Sequence, residues 1–156
     1  MFKLARAKAQ NIPRTKEKSL AAAQVFLQGA LLLIDANGNW AECGADPAAI
    51  GAIALTGAGP DTSVGSRFGT TEFPPGIMKG MAVQDETIWR ATYTGALPAA
   101  DGGSYGVTRN AGGDWVVDFA KVGATARLKV IGRLTGSPEN VPEVLVTFLA
   151  ANVQII

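Results

Sequence analysis

Histidine is absent from the whole chain, and with it go the usual general base, the usual imidazole metal ligand and the usual switch near neutral pH. Cysteine is nearly absent: Cys43 stands alone, so no intramolecular disulfide and no cysteine-based zinc spacing can form. A lone thiol with no histidine to activate it reads as a small buried apolar residue. Charge is scarce too, 17% of residues against 47% hydrophobic. That balance excludes a disordered chain and suggests that other chains cover part of the surface.

The motifs of common chemistries are missing as well. No G-x-x-x-x-G-K-[ST] loop occurs, and no G-x-G-x-x-G opens a helix; the paired glycines at 57/59, 102/103 and 112/113 sit where turns belong. A triad lacks its base, and no motif supports a Ser–Lys dyad. Asp85-Glu86 reads as a solvated turn, and Asp114 and Asp118 flank a strand without the dense oxygen ligands of a calcium loop. The sequence therefore points to no catalytic residue, no metal site and no cofactor. Ala21 to Ile34 follows a basic stretch in the manner of a signal peptide, but Gln24 and Gln28 interrupt it and Asp35-Ala36-Asn37-Gly38 is a turn, so we expect neither an export signal nor a membrane span.

What is present is an asymmetry. Lys3, Arg6, Lys8, Arg14, Lys16 and Lys18 face Glu17 alone in the first eighteen residues, whereas Ser19 to Ile156 holds eight basic and twelve acidic residues. Residues 1–19 show no sustained helical period, and Pro13 would end any short helix. We expect an extended basic arm over 1–19, ordered only against a partner, and a body over 20–156. Its charges are too thinly spread to predict nucleic-acid binding.

The body reads as all-β, a single small β-barrel or sandwich. Asn37-Gly38 between Ala30–Ile34 and Asn39–Cys43 predicts a hairpin with a type I′ turn. Asp46 and Pro47 suggest one helical turn over 46–50. Further strands are expected at 52–55, 77–83, 87–94, 105–109, 115–119, 126–134 and 143–149, with a long irregular stretch from Gly57 to Gly76. Leu128 and Val130 alternate with Arg127 and Lys129, as on a strand with one wet face. The strand over 143–149 is apolar on both sides, which marks it as central or as a subunit interface. We take Val144, Leu145, Val146, Phe148 and Leu149, with the apolar Ile155-Ile156, as an oligomer interface. No internal repeat is visible.

The run Gln24-Val25-Phe26-Leu27-Gln28-Gly29-Ala30-Leu31-Leu32-Leu33, followed by Asp35–Trp40, Cys43–Pro47 and Ile50–Ala54, resembles the small head decoration (cement) proteins of tailed bacteriophages. Val144–Leu149 with Val153-Gln154 is similar to their terminal strand. The resemblance implies an all-β body, commonly trimeric, that sits on the outer capsid and clamps neighbouring coat subunits. The partner would be the major capsid protein and the location the virion surface, after synthesis in the host cytoplasm. Neither an enzyme activity nor a nucleic-acid or membrane partner is implied. On this reading the six basic residues of 1–18 are the capsid-binding arm, adding a strand to an exposed sheet edge. The alternative is a receptor- or carbohydrate-binding module on a virion surface or tail, with ligand contacts in the Gly57–Gly76 loop and on exposed aromatics.

Overall fold

The computed structural model describes residues 1–6, 13–59, 77–84, 87–134 and 142–154. Most of the Gly57–Gly76 stretch, Lys8, Asp85-Glu86, the turn over 136–140 and Ile155-Ile156 lie outside the described residues. The all-β expectation holds. In chain order the strands are β1 (Phe2–Arg6), β2 (Thr15–Ser19), β3 (Leu31–Ile34), β4 (Trp40–Glu42), β5 (Ala52–Ala54) and β6 (Ile77–Ala82). They continue with β7 (Ile88–Thr94), β8 (Ser104–Arg109), β9 (Trp115–Asp118), β10 (Leu128–Leu134) and β11 (Glu143–Phe148). Two 3-10 turns, Gly123–Thr125 and Ala150–Asn152, are the helical elements among the described residues. No helix there is long and apolar enough to cross a membrane.

The expected helical turn at Asp46–Ile50 does not form. Asp46 takes a left-handed backbone at φ 52° in place of the extended backbone usual at an N-cap, and its carboxylate and carbonyl accept from Lys121 and Arg127 of the far half of the chain. The β3–β4 hairpin is present, but its turn is not type I′. Only Gly38 has positive φ; the Gly38 N–H donates to Asp35 O, and Asp35 Oδ1 accepts from the N–H groups of Asn37 and Asn39. This is a right-handed turn closed by a left-handed glycine, with the aspartate side chain supplying the extra bonds that a two-residue turn would not need.

The same construction closes β8 onto β9. Gly113 N–H donates to Asn110 O, Asp114 N–H donates to Asn110 Oδ1, and Gly113 carries φ 85°. A tryptophan then opens the next strand in both cases, Trp40 and Trp115. The likeness extends to whole sheets. One sheet runs β2-β6-β5-β3-β4 and the other β7-β11-β10-β8-β9, with every neighbour in these two runs antiparallel. Strand for strand, β2 to β6 repeat as β7 to β11. The structure thus corrects the expectation of no internal repeat: the chain is built from two like halves.

The halves close differently. In the second, parallel pairing of Tyr93 and Thr94 with Val117 and Asp118 joins β7 to β9 and makes a ring of strands. In the first, the corresponding closure is one parallel bridge from Leu20 to Trp40. The other difference is β1, which adds to the outer edge of β7 in the register Phe2↔Ala91, Lys3↔Arg90 and Leu4↔Trp89. Residues 2–6 and 15–19 are therefore not an arm ordered only on a partner. They are one strand in each sheet, held because Phe2 is buried against Phe148, ring centroids 5.5 Å apart, in a core that both sheets share.

Packing inside the first half depends on a glycine. Gly80 on β6 lies under the Trp40 ring, and a Cβ there would come within 2.9 Å of the Ala52 side chain and 3.2 Å of Trp40. On β10 the expected alternation holds: Leu128 and Val130 are buried and Lys129 is exposed, until a bulge at Ile131 shifts the register against β11.

Candidate functional site

Of the six basic residues expected to act together, Lys8 lies outside the described residues and the other five fall on or beside strands of two different sheets. Lys3 lies exposed on β1 opposite Arg90, and Arg6 ends the same strand. Arg14 is exposed, just before β2; Lys16 and Lys18 are half-buried on it. Their directly opposite partners on β6 are Gly80 and Met78, both buried, so the two lysines stand on the row that faces the core. Their aliphatic stems can cover that row with the ammonium groups at the rim. Among the described residues neither ammonium has an ion-pair or hydrogen-bond partner. Glu17, on the opposite face, pairs with Lys79 at 3.0 Å, and at 57% and 33% exposed the pair is weak.

The expected oligomer interface is a correction. Val144, Val146 and Phe148 are buried in the protein's own core, because β11 is a central strand between β7 and β10. Its second apolar side, Leu145, is half-buried against the glycine at the β10 bulge, where a Cβ on Gly132 would lie 3.5 Å from Leu145 Cδ1. Leu149 is half-buried as well. Two-sided apolarity thus came from central position, the other option open to such a strand.

Sequence reasoning passed over the polar residues that join the halves. Glu42 on β4 accepts from Trp115 Nε1 at 2.8 Å and from Arg109 Nη1 at 3.1 Å. Arg109 also donates to Val25 O and Gly113 O. Lys121 Nζ reaches Asp46 Oδ1 at 2.6 Å and Val107 O at 3.0 Å, while Arg127 donates to the carbonyls of Asp46, Pro47, Ala124 and Ala126. Asn152 Nδ2 donates to Ala48 O, and Gln154 brackets Ile34 by both its amide oxygen and its amide nitrogen. These groups latch the segment after β4 and the end of β3 onto the second half. Partners so distant in the chain leave no local spacing to read.

Nothing among the described residues assembles into a reacting group. Cys43 is buried, and burial, with the Glu42 charge second, pushes its thiol up to about 12, far from the thiolate that a nucleophile needs. Asp114 serves the β8–β9 turn, and Asp118 Oδ1 accepts from the Ala120 N–H. No group of three or more metal-ligating side chains occurs among the described residues. Buried Glu143 is held by Arg90, whose Nε lies 2.9 Å away, in an ion pair beside the β1 edge. A cleft of about 410 Å³ opens between β1 and the outer side of β5 and β6, lined among others by Phe2, Leu4, Ile53, Met81 and Trp89. No protein-family model, curated protein or solved structure matches the chain.

Proposed function

We propose that this chain is a structural protein of a phage particle, which binds the outer surface of the capsid and stabilises it by bridging neighbouring coat subunits. The observation that carries the reading is the repeated strand order. Two halves of like strand order, locked together by Glu42, Arg109, Lys121 and Arg127, make one body. Such a body suits a lattice of like subunits, where many weak contacts on a closed shell reinforce one another. The resemblance of Gln24–Leu55 and Val144–Gln154 to head decoration proteins supports the same reading.

The mechanism differs from a basic arm thrown out to a coat subunit. β1 is consumed inside the fold, and the strand-adding clamp expected of residues 1–18 is withdrawn with it. Arg14, Lys16 and Lys18 remain at one margin of the body, where positive charge steers docking onto an acidic shell more than it adds affinity. A homotrimer now rests on the resemblance and on the apolar Ile155-Ile156, since β11 supplies no exposed row. The reading assigns the protein no enzyme activity and no nucleic-acid or membrane partner.

Expanded coat-protein shells, assembled without this protein from the particle encoded with it, provide the test. Purified protein should saturate them at a fixed ratio to coat subunits and raise the temperature at which they disassemble. Shells that remain bare and unchanged in stability at saturating protein would remove the proposal.

A further inference from the structure

We infer that the outer edge of β2 is an acceptor for an extended acidic strand of a partner protein, which on the reading above is a segment of the coat subunit. The repeat provides the argument. Residues Ile88–Ala91 of β7 and Thr15–Ser19 of β2 occupy the same place in their two sheets, next to β11 and β6 respectively, and short of the parallel closure at Tyr93 and at Leu20. On β7 that place takes β1, antiparallel, through backbone pairing. On β2 no strand among the described residues occupies it. An unpaired edge with its donors and acceptors in line is a template for one more strand, and the second half of this molecule displays the product.

Side chains select the occupant. Trp89 and Ala91 make the core-facing row of β7, and the strand that sits there brings Phe2 and Leu4 against them. The matching row of β2 is Lys16 and Lys18, half-buried and without ion-pair partners among the described residues, while Glu17 on the other face is already engaged by Lys79. A strand laid along β2 would place alternate residues directly opposite these lysines, at cross-strand distances where opposite charges attract and like charges repel. Acidic residues at alternate positions satisfy that row. A second copy's β1, which carries Lys3 and Arg6 and no acidic residue, does not.

The probe is a short blocked peptide with glutamate alternating with valine and threonine, next to its counterpart with lysine in place of glutamate. The intact protein should bind the acidic peptide and gain hydrogen-exchange protection within Thr15–Ser19, and it should ignore the basic one. Lys16→Gln with Lys18→Gln should weaken binding about tenfold, as expected for two partly exposed ion pairs, and Lys16→Arg with Lys18→Arg should retain it. Thermal midpoints of both variants identify any loss caused by misfolding, and the arginine variant keeps the test open if the glutamine variant unfolds. Equal binding of the two peptides, protection at Phe2–Arg6 in place of β2, or protection of β2 by self-association without peptide would each overturn the inference. Shells separate it from the functional reading. If the glutamine variant decorates them as fully as the unaltered chain, the inference fails and the reading stands. If the unaltered chain leaves them bare while the acidic peptide still protects Thr15–Ser19, the reading fails and the acceptor edge stands.

Discussion

The two halves of this protein share one strand order and reach closure by different means. The second half is a ring, sealed by β7 and β9 and flanked by β1; the first is held by one bridge at Leu20–Trp40 and has an edge strand with lysines on its inner row. Their tryptophans differ in the same sense. Trp115 Nε1 is satisfied across the halves by Glu42, while Trp40, wholly buried, has no acceptor for its N–H among the described residues. Topology alone does not decide how finished a sheet is. The outer edge of β7 is covered by β1, and among the described residues no strand does the same for β2.

The strongest way to break the comparison is to empty each half's core. Trp40→Ala and Phe148→Ala should each cost about 3–5 kcal/mol, since both side chains are fully or almost fully buried. Chemical denaturation that shows either variant within error of the unaltered chain would refute the packing described. Phe2→Ala comes next, at about 3 kcal/mol, the lower end for a phenylalanine because β1 is an edge strand. Were residues 1–6 a loose arm, this substitution would leave the denaturation midpoint in place.

Gly80→Ala sharpens the comparison from the other side. The added methyl meets Ala52 and the Trp40 ring, so the first half should lose about 1–3 kcal/mol by overpacking. The smallest effect is expected from Glu17→Gln, which removes an exposed pair on β2 worth about 0.2–1 kcal/mol and further reduced by salt. A loss larger than that of Gly80→Ala would mean that β2 is more deeply held than its edge position allows.

Much of this fold was legible in the chain. Alternation located β10, and the glycine-rich punctuation located the β3–β4 hairpin and the turn before β9, because strand period and turn chemistry are local properties. The status of residues 1–19 was not. Phe2 and Leu4 give only two apolar steps of a strand, and their partners Ala91 and Trp89 lie far along the chain, so the charges dominated the reading. The repeat was hidden for a related reason. Asp35–Trp40 and Asn110–Trp115 agree only in Ala36/Ala111, Gly38/Gly113 and Trp40/Trp115, too little to stand out in a chain with 19 glycines. Val144, Val146 and Phe148 were assigned to an interface because two-sided apolarity does not separate a central strand from a contact surface.

The latch residues mark the same boundary. Glu42, Arg109, Lys121 and Arg127 looked like ordinary surface charge, and only their meeting at the segment after β4 reveals their role. Charge along a sequence is a weak guide to where charge sits in space.

Native-state hydrogen exchange of the free protein, resolved by residue, tests the central claim most directly, since it reads how each backbone amide is paired. The account predicts slow exchange for Trp89–Ala91, covered on both sides by β1 and β11, and measurable protection of β1 itself. Along Thr15–Ser19 it predicts slow exchange only at amides bonded to β6, alternating with fast exchange at those facing the open edge. Uniformly slow exchange across Thr15–Ser19, or exchange of Phe2–Arg6 at unstructured rates, would contradict it.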